Sequence, residues 1–240
     1  MKKQILHILT IFGVGFLIFT FIFQIYLTPI CIVGRSMQPT INTQSQGATD
    51  YTNCDIVYYK RAKTFDKGDI VVLNAENYIT NQTDPIIKRV IATGGDTLTF
   101  DFYQVDKTLL LLQDLHVYKC YYNILLNGQP LQEDYIAEQE CYLEVKTNNL
   151  GECIENSDYK FLSLIHSQLF VANPADYIST GKVDITINQN EVFVCGDNRN
   201  HSTDSRYFGT VKTTDILGVM AIHIPYGTTF FVGLFREIFN

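Results

Sequence analysis

Three short segments of this chain carry side chains suited to nucleophilic chemistry. Ser36 sits in Gly34-Arg35-Ser36-Met37-Gln38-Pro39-Thr40, where Pro39 limits backbone freedom just after the hydroxyl. Lys88 sits in Ile86-Ile87-Lys88-Arg89-Val90. The third segment, Gly196 to Arg206, crowds Asp197, Asn198, Arg199, His201, Ser202, Asp204, Ser205 and Arg206 into one polar loop. A serine hydroxyl is a weak nucleophile at neutral pH and needs a base within reach. Lysine serves as that base only when neutral, and burial among apolar groups disfavours its charged form. Moving its pKa from about 10.4 to about 8 asks the site for roughly 3 kcal/mol.

The surroundings of Lys88 suit that demand, because Ile86, Ile87, Val90 and Ile91 make its segment an apolar strand. Strand alternation puts Ile86, Lys88 and Val90 on one face and Arg89 on the other. Lys88 can then be buried while Arg89 reaches a carboxylate. The polar loop holds too many groups to leave unsatisfied in a folded core, so they must bond to one another or to backbone. Asp197 reads as a turn and scaffold residue rather than an acid, and His201 as a loop histidine. His7, His116, His166 and His223 are scattered and point to no site.

These segments have to be positioned by the rest of a 240-residue chain with 18 basic and 25 acidic residues. No Lys/Arg cluster forms a phosphate-binding footprint, so nucleic acid is not an expected partner. From Gln4 to Gly34 no side chain is charged, and Ile5 to Tyr26 is almost wholly apolar. As a helix that run reaches about 33 Å, enough to cross a bilayer. Lys2 and Lys3 precede it and no basic residue follows until Arg35, so the basic-side-inside bias keeps the N-terminus cytoplasmic and the remainder outside. The alternative is a removable secretion signal. The apolar run exceeds the length usual for one, and Thr28-Pro29-Ile30-Cys31-Ile32 offers no small-x-small cleavage site, so the segment reads as a retained anchor.

Short β-branched runs follow: Asp55 to Tyr59, Ile70 to Leu73, Ile86 to Ile91 and Glu191 to Cys195, each bounded by turn formers. Lys67-Gly68-Asp69, Thr93-Gly94-Gly95-Asp96 and Asn127-Gly128 read as tight turns. A β-dominated core is expected. Residues about 100 to 188 change character and hold none of the three segments, so they read as an insertion. Phe231, Leu234, Phe235 and Ile238 share one helical face, read as packing on the core, with the bilayer surface as the alternative. The six cysteines (31, 54, 120, 141, 153 and 195) show no C-x-x-C spacing, so no zinc site is expected. Cys120, Cys141 and Cys153 are close enough in sequence to supply a bridge, and six buried thiols remain the alternative.

Taken in this order, the three segments resemble the motifs of the bacterial type I signal peptidases. The resemblance covers the anchor, residues 31 to 41, 67 to 73, 86 to 96 and 191 to 211. It implies a mostly β fold: a signal-peptidase-like β core with an inserted second subdomain and one N-terminal transmembrane helix. The corresponding division is an anchor at 1–27, a catalytic core at 28–100 and 189–240, and an inserted cap at 101–188. The resemblance also implies Ser36 as nucleophile, its own amide helping to hold the oxyanion, Lys88 as base, and Ser202 as the hydroxyl orienting the amine. Asp204 and Arg206 brace the loop as an ion pair, with Asp197 and Arg89 in supporting roles. Ile32, Met37, Ile86 and Ile87 match positions lining the pockets that receive small residues before the cut. The implied partners are signal peptides of exported preproteins and the lipid bilayer, with no metal and no cofactor. The implied location is the cell membrane, with the catalytic part extracytoplasmic.

Two departures stand out. Ala92-Thr93-Gly94-Gly95-Asp96 replaces the Gly-x-Pro-Gly-Asp common after the lysine motif, and Gly34 stands where some relatives carry a second oxyanion-donating serine. Two rival readings share the same residues: a processing peptidase dedicated to a narrow substrate set, and an inactive membrane-tethered binding module.

Overall fold

The computed structural model describes residues 2–43, 53–79, 84–110, 115–136, 140–147 and 181–228. It opens with helix α1 (Lys2–Tyr26), a run free of proline. Counted over the described residues alone, no helix is long and apolar enough to cross a membrane.

Two antiparallel sheets follow. Sheet A has the order β1-β2-β12-β3-β4-β10-β11, formed by β1 (Thr28–Ile32), β2 (Asp55–Lys60), β3 (Ile70–Leu73), β4 (Ile86–Thr93), β10 (Glu191–Cys195), β11 (Val211–Lys212) and β12 (Ile216–Ile224). Sheet B has the order β7-β6-β5-β9, with β8 also paired to β6. Its strands are β5 (Thr97–Leu110), β6 (Leu115–Leu126), β7 (Gln129–Pro130), β8 (Tyr142–Thr147) and β9 (Gly181–Thr186), all between β4 and β10 in the chain. Besides short 3-10 turns, a single helical turn, α2 (Ser205–Phe208), follows the polar loop.

The four runs expected as strands are β2, β3, β4 and β10. Asn127 and Gly128 both take positive φ, 51° and 78°, as a two-residue hairpin turn requires. Three strands of sheet A were not anticipated: β1, β12 and the two-residue β11. β1 carries Pro29, which lacks an N–H, and it is tolerated because β1 is an edge strand. β12 lies between β2 and β3 with register shifts on both sides and Gly218 within it. A Cβ at Gly218 would sit 2.3 Å from the Lys60 carbonyl oxygen, so this strand needs a residue without a side chain where strand propensity disfavours one.

Three apolar clusters hold the sheets. Ile91, Ala92, Phe193 and Cys195 of sheet A pack with Leu98, Phe100, Phe102, Tyr118 and Tyr122 of sheet B. Val71, Leu73, Val90 and Val194 form a second cluster with Phe208. Ile32, Met37, Ile41, Val57, Ile70, Val72 and Ile87 form the third, beneath the Ser36 turn. Cys31 and Cys54 form a disulfide, a pairing the sequence reading did not suggest. Cys120 is a buried thiol whose pKa burial pushes up to about 12. Cys153 and the expected C-terminal face at Phe231 to Ile238 lie outside the described residues.

Candidate active site

Ser36 sits in a compact turn that begins where β1 ends. Gln38 N donates to the Arg35 carbonyl at 3.1 Å and Ile41 N to the Met37 carbonyl at 2.9 Å. Asn42 ties the turn back to β1, its Nδ2 donating to the carbonyls of Ile32 (2.7 Å) and Gly34 (2.8 Å). Asn42 is held in turn by Asp55, whose Oδ2 accepts from Asn42 N at 2.7 Å and whose own N donates to Asn42 Oδ1 at 3.0 Å. Asp55 also accepts from His223 Nε2 at 2.7 Å and Tyr226 N at 2.8 Å. Burial pushes the Asp55 carboxyl up, but the bonds from His223, Tyr226 and Asn42 outweigh it and hold the pKa below the ordinary value. His223, which no motif marks, thus belongs to the support of the turn. The Cys31–Cys54 disulfide closes the same loop covalently.

Lys88 lies on β4, opposite Val71 of β3, and only 4 % of it is exposed. Its Nζ is 2.9 Å from Ser36 Oγ and donates to the Ile87 carbonyl at 2.8 Å. Burial is the main force on its pKa and brings it down from 10.5 to about 8; Asp204 opposes the shift and Arg206 adds to it. A neutral amine is therefore available near neutral pH, within hydrogen-bond distance of a hydroxyl.

The polar loop encloses this pair. Asn198 N donates to the Ser36 carbonyl at 3.0 Å and Asn198 Nδ2 to the Arg35 carbonyl at 3.1 Å. Gly196 lies flush against the serine: a Cβ there would be 2.4 Å from the Ser36 carbonyl oxygen and 2.3 Å from Ser202 Oγ. Gly196 N donates to Asp204 Oδ2 at 2.9 Å, and Arg206 grips the same carboxylate through Nε and Nη2, each at 2.7 Å. Burial pushes the Asp204 carboxyl up, but the Arg206 charge and these hydrogen bonds hold it below the usual range. Ser202 Oγ is buried; it lies close enough to Asp204 to favour the ionised carboxylate, yet falls short of a hydrogen bond with any described group.

A family model described as signal peptidase, peptidase S26, matches residues 1–224 of the chain. The chain belongs to the signal peptidase family. It is similar to signal peptidase I of Aquifex aeolicus, 28% identical over 91% of this chain and 82% of that protein. It is also similar to signal peptidase IB of Staphylococcus aureus strain COL, 28% identical over 91% of this chain and 88% of that one. A signal peptidase I crystal structure from Enterococcus faecalis V583 aligns with 66% of this chain and 97% of its own at 21% identity, with a TM-score of 0.33.

Beside Ser36 and Lys88 this signal peptidase family member has a cleft of about 590 Å³, lined by Ile30, Ile32, Ser36, Ile86, Ile87 and Lys88, with Asp84 and Pro85 among its remaining walls. Three of the four pocket residues expected from sequence, Ile32, Ile86 and Ile87, line it. Met37 does not: it is 1 % exposed and packs inward with Ile41, Val57 and Val72. Arg89 reaches Asp197 through Nε (2.8 Å) and Nη2 (2.6 Å). Asp197 also accepts from Thr40 Oγ1, a link from the Ser36 turn that the sequence reading missed. His201 Nδ1 accepts from Arg35 Nη2 at 3.1 Å, on the exposed side. Also unforeseen were Tyr122 of β6, whose hydroxyl accepts from Arg206 Nη1 at 2.7 Å, and Glu133, whose carboxylate pairs with Arg199. Both lie more than sixty residues from the loop they support, and no local pattern marks them.

Proposed function

We propose that this chain is a membrane-anchored serine endopeptidase that removes N-terminal signal peptides from exported preproteins, with Ser36 as nucleophile and Lys88 as general base. The observation that carries the reading is the 2.9 Å approach of a buried lysine amine to the Ser36 hydroxyl. Neutral Lys88 takes the Ser36 proton as Oγ attacks the scissile carbonyl, then gives it to the departing amine. A water deprotonated by the same amine hydrolyses the acyl-enzyme. The Ser36 amide is one donor to the oxyanion. By the family resemblance Ser202 is the group that orients the lysine, and its buried hydroxyl is uncommitted to any other described group. Asp197, Arg89, Asp204 and Arg206 hold the loop and strand in place.

The substrate lies extended in the cleft between the edge strand β1 and β4, where the walls of Ile32, Ile86 and Ile87 favour small side chains before the cut. The anchor is α1. Its 25 residues rise about 37 Å. Ile11, Phe12, Leu17, Phe21 and Ile25 point to different sides of the helix and are each more than 60 % exposed. A helix apolar all round is suited to lipid rather than water. The described side chains alone do not amount to a span, but the unbroken sequence from Ile5 to Tyr26 does. The charge bias of Lys2 and Lys3 places the remainder outside, and the Cys31–Cys54 disulfide suits an oxidising compartment.

The deciding experiment is cleavage of a signal-bearing preprotein by purified full-length protein and by Ser36→Ala. The variant is expected to retain the fold, judged by circular dichroism, and to lose cleavage altogether. Undiminished cleavage by folded Ser36→Ala ends the assignment.

A further inference from the structure

The segment between β7 and β8 reaches across to the dyad-bearing elements. Glu133 accepts from Arg199 Nη1 at 2.6 Å and also pairs with Arg199 Nη2. Arg199, 1 % exposed, passes this hold to the loop, its Nε donating to the carbonyl of Gly196 at 3.1 Å. Gly196 is the residue wedged between the Ser36 carbonyl and Ser202. Tyr135 donates its hydroxyl to Glu133 Oε1 at 2.5 Å, and its ring lies 4.0 Å from Arg89 Cζ, beside Lys88 on β4. One short stretch of chain therefore touches both arginines that flank the site, one on the lysine strand and one on the loop behind the serine.

Glu133 also completes a charge balance. Arg89, Arg199 and Arg206 pair with Asp197, Glu133 and Asp204 respectively, and only Glu133 comes from outside the core segments. The groups acting electrostatically on Lys88 include Asp204, Arg206, Cys195 and Asp197, while Tyr122 and Cys141 lie near the arginines. His201 faces Arg35, on the exposed side. Removing the negative charge of Glu133 leaves Arg199 as an uncompensated buried cation on the loop that packs against Ser36.

Building on the assignment of Ser36 and Lys88, we infer that Glu133 and Tyr135 are positioning residues for the dyad, and that the segment inserted between β7 and β8 is part of the catalytic apparatus through them. Their contacts hold the loop and the lysine strand at the spacing the proton transfer needs, and Glu133 cancels the buried Arg199 charge behind the serine.

The test uses full-length protein in detergent, with a peptide substrate spanning a signal-cleavage site. Glu133→Gln is expected to lower kcat about tenfold or more with KM unchanged. It should also move the acidic limb of the pH profile down by about half a pH unit, because an added net positive charge disfavours protonated Lys88. Glu133→Asp keeps the charge and is expected to restore the wild-type midpoint. Tyr135→Phe keeps the ring and loses the hydroxyl, so kcat should fall severalfold with the midpoint unmoved. Should Glu133→Gln fail to fold, the kcat of Tyr135→Phe decides. A folded Glu133→Gln with wild-type kcat and midpoint overturns the inference, as does wild-type kcat in Tyr135→Phe when Glu133→Gln cannot fold. Ser36→Ala, run alongside, separates the two ideas: cleavage surviving there sinks the nucleophile assignment, whereas an inert Ser36→Ala with a fully active Glu133→Gln sinks only the positioning role.

Discussion

Replacing Lys88 by methionine should abolish cleavage and, at neutral pH, make the protein more stable. Burial brings the Lys88 pKa from 10.5 to about 8, and at about 1.4 kcal/mol per unit this is a penalty of about 3 kcal/mol. Its pH course follows from proton linkage. Below pH 8 both folded and unfolded chains hold the proton, so the folded state bears the whole penalty. Between 8 and 10.5 the unfolded chain binds a proton that the folded one does not, so stability rises with pH, and above 10.5 the penalty is gone. Methionine fills a similar volume without charge, but it loses the bonds to Ser36 Oγ and the Ile87 carbonyl, worth about 1 kcal/mol in all. Lys88→Met should therefore gain about 2 kcal/mol at pH 7 and lose about 1 kcal/mol above pH 10.5, read from urea denaturation of the full chain in detergent. For the wild type, the neutral fraction rises from about one-tenth at pH 7 to about nine-tenths at pH 9, so kcat/KM should rise about ninefold. A kinetic midpoint near 10, or a Lys88→Met protein less stable than wild type at pH 7, refutes the idea of a desolvated base.

Gly196→Ala places a Cβ 2.3 Å from Ser202 Oγ and 2.4 Å from the Ser36 carbonyl oxygen. We expect a loss of about 1–3 kcal/mol in stability and a fall in kcat of at least a hundredfold, checked by thermal melting and steady-state cleavage; near-normal kcat means that the turn tolerates displacement. Reducing the Cys31–Cys54 bridge frees a loop spanning 23 positions, which loop-closure entropy values at about 3 kcal/mol. Melting with and without reductant should show this loss, accompanied by slower cleavage because the freed loop carries Ser36; an unchanged melting temperature rules it out.

The parts of this protein readable in its sequence are those whose cause is local. β2, β3, β4 and β10 show as β-branched runs between turn formers, and side-chain alternation separates Lys88 and Arg89 onto opposite faces of β4, both of which the fold largely covers. The three chemical segments are each contiguous, so their spacing could be compared with known motifs. What stayed hidden depends on distant chain. β12 carries a glycine because the Lys60 backbone crowds it, a constraint set by a strand more than 150 residues earlier. Met37, which the family resemblance put among the pocket walls, is 1 % exposed and packs inward, because a matched motif does not tell which side of a turn faces solvent. His223, Asp55 and Asn42 form one network from three separate stretches, and no spacing rule joins them.

The distribution of buried charge around Lys88 gives a physical reason for the size of this apparatus. Three ion pairs, Arg89–Asp197, Arg199–Glu133 and Arg206–Asp204, brace the strand and loop that carry Lys88 and Gly196, and of these the charges of Asp204, Arg206 and Asp197 act on the amine. Pairing each arginine with a carboxylate makes the surroundings close to neutral, so desolvation rather than any one charge dominates the amine's pKa. Such buried pairs contribute little net stability, because the cost of desolvating them offsets their attraction. Their directional bonds are another matter: Arg89 fixes Asp197 against Thr40, Arg206 fixes Asp204 against Gly196 N, and Arg199 fixes the Gly196 carbonyl. Each pair thus ends on the backbone or side chain of an element touching Ser36, and the same groups that cancel one another's charge also set the distance over which the proton moves.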